Sequence, residues 1–207
     1  MHSPVRIVAI CGSLRAESYT RMALNIALRA AKQTGVDVEL LDLRDYKLIF
    51  CGSNVDTCGN ETDYPADVMR LRNQVKQAHG IILGTPEYHS SFSGVLKNAL
   101  DLMACEQFEG KMIGLVGVSA GAQGANTAIN ALRSVGRSLH AWVVPEQVSI
   151  PFVEGVFDAQ GEILNRDIEA RLAALGQQVA RFASLHSSTQ AQAFIEAWEA
   201  APQNPAV

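Results

Sequence analysis

Apolar positions along this chain alternate between two rhythms. Val5–Ile10 (VRIVAI) is short, β-branched and almost wholly apolar, which predicts a parallel strand buried on both faces. Gly12-Ser13 breaks it. From about Thr20 to Lys32, Met22, Leu24, Ile26, Ala27, Leu28 and Ala31 cover one broad helical face, and Gly35 supplies a C-cap. Val36–Leu43 alternates and predicts a second strand, whereas 45–63 is polar and reads as a loop excursion with breakers at Gly52, Gly59 and Asn60. Pro65 opens a helix whose buried face carries Val68, Leu71, Val75 and Ala78. Gly80–Gly84 is a third strand, and Ser93 caps a helix bearing Val95, Leu96, Ala99, Leu100 and Met103. Met112–Val118 is a fourth strand and Thr127–Val135 a helix. Leu139–Val144, extended by Val148–Ile150, supplies the fifth strand. Ile168, Leu172, Leu175, Val179 and Phe182 mark a last long helix.

Strands alternating with helices predict a doubly wound α/β sheet, with every strand C-terminus, and therefore the ligand site, along one edge. The pattern accounts for residues 1–186 as one unit and leaves 187–207 as a tail. Phe194, Ile195 and Trp198 form a small apolar stripe in that tail, expected to pack on a neighbouring surface rather than to hold a cofactor.

Composition narrows the function. The 207 residues are 48% hydrophobic and 18% charged, so the chain folds. At this size about 70% of the unfolded surface is buried on folding, and no covalent staple is required. Lys plus Arg is 17 and Asp plus Glu 21, a net charge of −4, which argues against a nucleic-acid partner. Cysteines 11, 51, 58 and 105 match no metal spacing, and reduced thiols in a cytoplasmic protein are expected, with a Cys51–Cys58 bridge as the alternative. The N-terminus does not read as a signal peptide and no apolar run reaches membrane-spanning length, so no membrane partner is expected.

Three strand-end loops carry the candidate chemistry. After the first strand, Gly12 to Thr20 (GSLRAESYT) lacks the glycines of a dinucleotide fingerprint, with Leu14 and Glu17 in their places, and is not a P-loop. Ser13, Ser18, Thr20 and Arg15 instead gather at a helix N-terminus, where backbone N–H groups and the helix dipole favour an anion such as phosphate. A capped helix with a surface arginine fits the same residues. The second loop, Gly84 to Gly94 (GTPEYHSSFSG), brings Pro86, Tyr88, His89 and Phe92 to a strand end, which suits a flat aromatic ligand. The third, Gly117 to Gly124 (GVSAGAQG), permits close backbone approach. It also matches the G-x-S-x-G nucleophile elbow, with Ser119 followed by Asp158 and His186 in hydrolase order. No H-G-G-G-type oxyanion loop accompanies it: His79-Gly80 is followed by Ile81.

Together, G-S-L-R-x-x-S-x-T at 12–20, G-T-P-E-Y-H at 84–89 continuing to L-K-N-A-L-D at 96–101, and the Ser/Gly loop at 119–124 resemble the NAD(P)H-dependent FMN reductase family, which includes quinone, azo and chromate reductases. The resemblance spans residues 5–183. It implies a three-layer flavodoxin-like fold with a five-stranded parallel sheet in the order 2-1-3-4-5. It implies FMN as the cofactor and NADPH or NADH as donor, with the hydride passed to flavin and then to an acceptor (free flavin, quinone or azo compound). Ser13, Arg15, Ser18, Tyr19 and Thr20 would hold the FMN phosphate, Pro86, Glu87, Tyr88 and His89 would border the ring and ribityl chain, and Ser119 and Gly121 would close the pyrimidine side. No metal and no protein acid or base is required, although His89 could protonate an acceptor. A homodimer or a dimer of dimers is also implied. His89 stands where the family usually has asparagine, Leu102 where it frequently has tryptophan, and Ala125 where the third loop usually has a second glycine. A flavodoxin-type electron carrier and a serine hydrolase built on Ser119 are the alternatives.

Overall fold

The computed structural model describes residues 4–53, 64–158 and 160–200, of which Trp198 and Glu199 are described in backbone only. Five strands run parallel: β1 (Arg6–Cys11), β2 (Asp37–Asp42), β3 (Gly80–Tyr88), β5 (Met112–Val118) and β6 (Trp142–Ile150). The two-residue β4 (Ser91–Phe92) pairs antiparallel with the end of β3. The order β2-β1-β3-β5-β6 is the anticipated 2-1-3-4-5 once this unforeseen sixth strand is set aside.

Helices cover both faces, as the apolar periodicity requires. α1 (Tyr19–Lys32) and α6 (Arg166–His186) share one core with Ile7, Ala9, Ile82 and Val116. α2 (Ala66–Lys76), α3 (Gly94–Asp101) and α5 (Asn126–Ser138) share the other with Val8, Ile10, Ile81, Leu83 and Leu115. Successive strand residues point to opposite faces, so each inner strand feeds both cores. A short α4 (Cys105–Phe108) precedes β5, and α7 (Thr189–Ala200) follows α6, giving part of the anticipated tail a helical form.

Three boundaries differ from the periodicity. β3 runs four residues past Gly84, because β5 continues to pair with it through Pro86↔Val118 after β1 has ended at Cys11↔Gly84. Leu139 and His140 end α5 rather than begin a strand: His140 takes a left-handed φ of 60° and the N–H of Ala141 donates to the Gly136 carbonyl. That is the turn by which many helices stop. The two apolar pieces of the fifth strand are one strand, with a register shift opposite Ile113/Leu115 that falls around Pro145. A bulge tolerates a residue without an N–H.

The excursion after β2 is partly anchored. Asn98 of α3 donates to the Ile49 carbonyl at 2.8 Å and accepts from the Cys51 N–H at 2.9 Å. Cys11, Cys51 and Cys105 are free thiols, while Cys58, and with it the Cys51–Cys58 alternative, lies outside the described residues. Of the tail stripe, Phe194 is exposed, Ile195 is half-buried and the Trp198 side chain is outside the description.

At the opposite end of the sheet, the Arg6 N–H donates to His79 Nδ1 at 3.1 Å and the His79 N–H donates to the Arg6 carbonyl at 2.8 Å. Burial, and then the Lys111 charge, push the imidazole pKa below its usual value. Lys111 itself is lowered to about 8 by burial and by Lys76. Its ammonium donates to the Val75 and Lys76 carbonyls, the C-terminal end of α2, at 2.7 Å each.

Candidate functional site

The first loop leaves β1 through Gly12, whose N–H donates to the Gly84 carbonyl at 2.8 Å. A Cβ at Gly12 would lie 2.7 Å from Leu96 Cβ and 2.9 Å from the Gly84 oxygen, so the loop can pass this close to β3 and α3 only as glycine. Ser18 caps α1, its Oγ accepting the Arg21 N–H at 3.2 Å. Ser13 Oγ accepts from the Arg15 N–H at 3.4 Å. Ser13, Ser18 and Thr20 are all buried. Tyr19 stacks on Phe157 with ring centroids 5.8 Å apart.

Arg21 was not singled out in the sequence, yet it sets the loop's shape. Its Nε pairs with Asp42 Oδ2 at 2.6 Å, and its terminal nitrogens donate to the carbonyls of Ala16 (2.9 Å) and Arg15 (3.2 Å). Carbonyl oxygens are what an approaching anion must not meet, and Arg21 engages two of them. A signal for it existed: a cation in the first turn of a helix opposes the dipole and calls for a compensating partner.

The second loop is the far end of β3 and the turn into β4. His89 and Ser90 both take left-handed φ values, 49° and 62°, in a two-residue hairpin connection. Ser93 then ties three segments together. Its N–H donates to Thr85 Oγ1 (2.9 Å), its Oγ donates to the Gly12 carbonyl (2.6 Å) and accepts from the Leu96 N–H (3.1 Å). Glu87 Oε2 accepts the Ala128 N–H at 3.0 Å, so its carboxylate sits at the N-terminal turn of α5. In the third loop, the Ser119 N–H donates to the Ile150 carbonyl (2.9 Å) and Ser119 Oγ accepts from the Gly121 N–H (3.1 Å). Gly124 has φ +67°, and a Cβ there would lie 2.4 Å from Ser149 Oγ.

These loops enclose a cavity of about 230 Å³. Nine anticipated residues line it: Ser13, Arg15, Tyr19 and Thr20 from the first loop, Pro86, Glu87 and Tyr88 from the second, and Ser119 and Gly121 from the third. Ser18 and His89 do not: the first is spent as a helix cap, and the second stands exposed at the hairpin turn. Val153 and Glu154 join the lining unannounced. They arrive because the Val153 N–H donates to the Ser119 carbonyl, a long-range bond with no local signature. Tyr88 also lines a second, largely apolar cavity of about 530 Å³ with Leu14, Leu43, Tyr46, Leu48 and Phe50.

The hydrolase alternative fails on distance. Ser119 directly follows β5, whereas His186 lies beside Gly110, just before β5 begins (a Cβ on Gly110 would be 3.5 Å from His186 Nε2). The seven-residue strand between them is roughly 20 Å of extended chain. Asp158 meanwhile closes its own turn, accepting from the N–H groups of Gln160 and Glu162. Burial pushes the Cys11 thiol pKa up, which keeps it protonated and inert. Among the described residues there is no cluster of three or more metal-ligating side chains, and no helix long and apolar enough to cross a membrane.

The family model for NADPH-dependent FMN reductases matches residues 5–155. The chain belongs to that family. It is 35% identical over 170 residues to an NAD(P)H-dependent FMN reductase of Pseudomonas aeruginosa, covering 80% of this chain and 88% of that one. It is 31% identical over 187 residues to the NADPH-dependent FMN reductase ArsH of Shigella flexneri, covering 88% and 70%. In structure it resembles FerB, a flavoenzyme NAD(P)H:(acceptor) oxidoreductase of Paracoccus denitrificans, with a TM-score of 0.67, 21% identity, and coverage of 88% and 98%. This FMN reductase family member is thus a flavin oxidoreductase of flavodoxin-like fold, with FMN and NADPH or NADH as its cofactors. The donor set fits: buried hydroxyls and an arginine at the N-terminus of a 14-residue helix suit a phosphate, and the faces of Pro86 and Tyr88 suit a flat ring.

Proposed function

We propose that this protein reduces small planar acceptors, quinones or azo compounds as well as free flavin, at the expense of NADPH or NADH. The observation that carries the reading is the convergence of all three loops on one cavity, whose Tyr88 also lines a larger apolar one. FMN supplies the hydride-accepting and electron-donating chemistry when bound. Ser13, Thr20, Arg15 and the Tyr19 backbone hold its phosphate, with Ser18 and Arg21 keeping that loop in shape. Pro86 and Tyr88 offer faces to the ring. Glu87 acts as a positioning residue, fixing β3 to α5, and Ser119 and Gly121 close the remaining side. Leu43, Tyr46 and Leu48 give the larger cavity beside Tyr88 its apolar lining. His89, exposed at the hairpin turn next to Tyr88, would protonate an acceptor without taking part in the nicotinamide half-reaction.

Fast bleaching of the flavin absorption on stopped-flow mixing of FMN-loaded protein with NADPH, followed by recovery on adding a quinone or azo dye, is the expected result. Binding of FMN with slow or absent bleaching would replace this reading with that of an electron carrier. We also read the protein as a cytoplasmic homodimer or dimer of dimers, supported by its free thiols and by the exposed Leu14, Phe50 and Tyr88 beside the site. A single 22.3 kDa species in sedimentation would remove the oligomer.

A further inference from the structure

At the sheet edge opposite the flavin loops lies a further cavity, about 750 Å³, which the reductase chemistry leaves unused. Its floor is the start of the edge strand β6, where Trp142 stands 63% exposed. The end of α5 contributes Arg137 and His140, the end of α6 His186, and the middle of α7 Ile195. Three features set this cavity apart from an accidental surface dent. First, an exposed indole is unfavourable in water, and here Trp142 shares the cavity lining with Arg133 and Arg137. Second, His140 occupies the left-handed position that ends α5, where glycine or asparagine is favoured, and this places an imidazole in the cavity wall at a backbone cost. Third, the charges are arranged for an incoming anion. Arg133 is committed to Gln147 and to the Val144 and Pro145 carbonyls. Arg137 is exposed and, among the described residues, has no such partner. The only carboxylate among the described lining residues, Glu109, faces His140 at 3.7 Å.

We propose that this cavity is a second binding site, remote from the flavin, for a small planar aromatic molecule carrying one anionic group. The ring lies against Trp142 with Ile195 at its edge. The phosphate, sulfonate or carboxylate lies against Arg137, with His140 and His186 donating hydrogen bonds. The volume is in the range that drug-sized and mononucleotide-sized ligands occupy.

The test is calorimetric titration of FMN-loaded full-length protein with adenosine 5′-monophosphate, with naphthalene-2-sulfonate and with inorganic phosphate, repeated on W142A and R137M. The expected result is binding of at least one aromatic anion with Kd below about 1 mM, weakened roughly five-fold or more by each variant. Inorganic phosphate alone should bind at least ten-fold more weakly than that anion. Binding of the nucleotide alone would assign the site to nucleotides, and of the sulfonate alone to aryl acids. Absence of binding by both aromatic probes would overturn the proposal. So would binding indifferent to both variants, which would place the probe at the nicotinamide site. A change of sedimentation coefficient in W142A, with no probe binding in wild type, would assign the face to subunit contact instead.

Discussion

The two ends of the sheet handle the same electrostatic problem in opposite ways. At the strand C-termini, the helix starts α1 and α5 present unpaired N–H groups. The protein closes one with its own Glu87, while the other is capped by Ser18 and adjoins the cavity that Ser13, Arg15 and Thr20 line. At the strand N-termini, helices end and present carbonyls. There the protein supplies a cation itself: Lys111 covers the end of α2. The start of α1 faces an open cavity, whereas the end of α2 is closed from within by Lys111. Changes at the first should therefore alter flavin affinity more than stability, and changes at the second the reverse.

The largest expected break in that contrast is Gly12→Val. Its side chain must displace Leu96 and the Gly84 carbonyl, costing roughly 2–3 kcal/mol, and it should abolish FMN retention on gel filtration. Denaturant melts and bound-flavin absorbance report the two losses together. Arg21→Met comes next. It frees the Arg15 and Ala16 carbonyls toward the anion site, so FMN affinity should fall about ten-fold, near 1.4 kcal/mol, with less than half that change in unfolding free energy. A stability loss larger than the affinity loss would erase the distinction between the two ends.

The self-completed end should respond to pH instead. His79 accepts a bond at Nδ1 and its folded pKa lies below the usual 6.5. The unfolded chain therefore binds the proton first. The contribution is complete above pH 6.5 and is lost as pH falls through that value toward the lower folded one. His79→Asn keeps an acceptor and cannot titrate, so its stability in urea should fall less between pH 7 and 5 than the wild type's, with FMN affinity equal in both at pH 7. The smallest effect is expected from His89→Asn. NADPH oxidation should stay within about two-fold, while acceptor reduction slows by less than roughly ten-fold. Equal slowing of both half-reactions would remove His89 from acceptor protonation.

Residue types and spacing revealed the three loops because a phosphate cradle, a flat-ring wall and a close-approach glycine loop each need particular side chains in consecutive positions. What holds the loops was hidden, because it pairs residues far apart in the chain. Arg21 meets Asp42, Ser93 meets Gly12, and Glu87 meets Ala128. Strand and helix types followed from periodicity, but ends did not. β3 outran its apolar stretch because β5 was still beside it, and Leu139 became the C-cap of α5 because His140 could turn left-handed. Ser18 shows the same limit from the other side: a hydroxyl in the right place for a ligand was already taken by the helix it begins.

The unequal strand lengths have a last consequence. β1 stops at Cys11, level with Gly84, while β3 climbs four more residues to Tyr88, about 13 Å at the usual rise. The ligand edge is therefore a step rather than a line, with the anion cradle on the lower tread and the aromatic wall on the upper. Only an elongated guest, charged at one tip and flat at the other, can touch both levels at once. On the proposed function the staircase would act as a ruler, favouring such a guest over a bare phosphate or a bare ring.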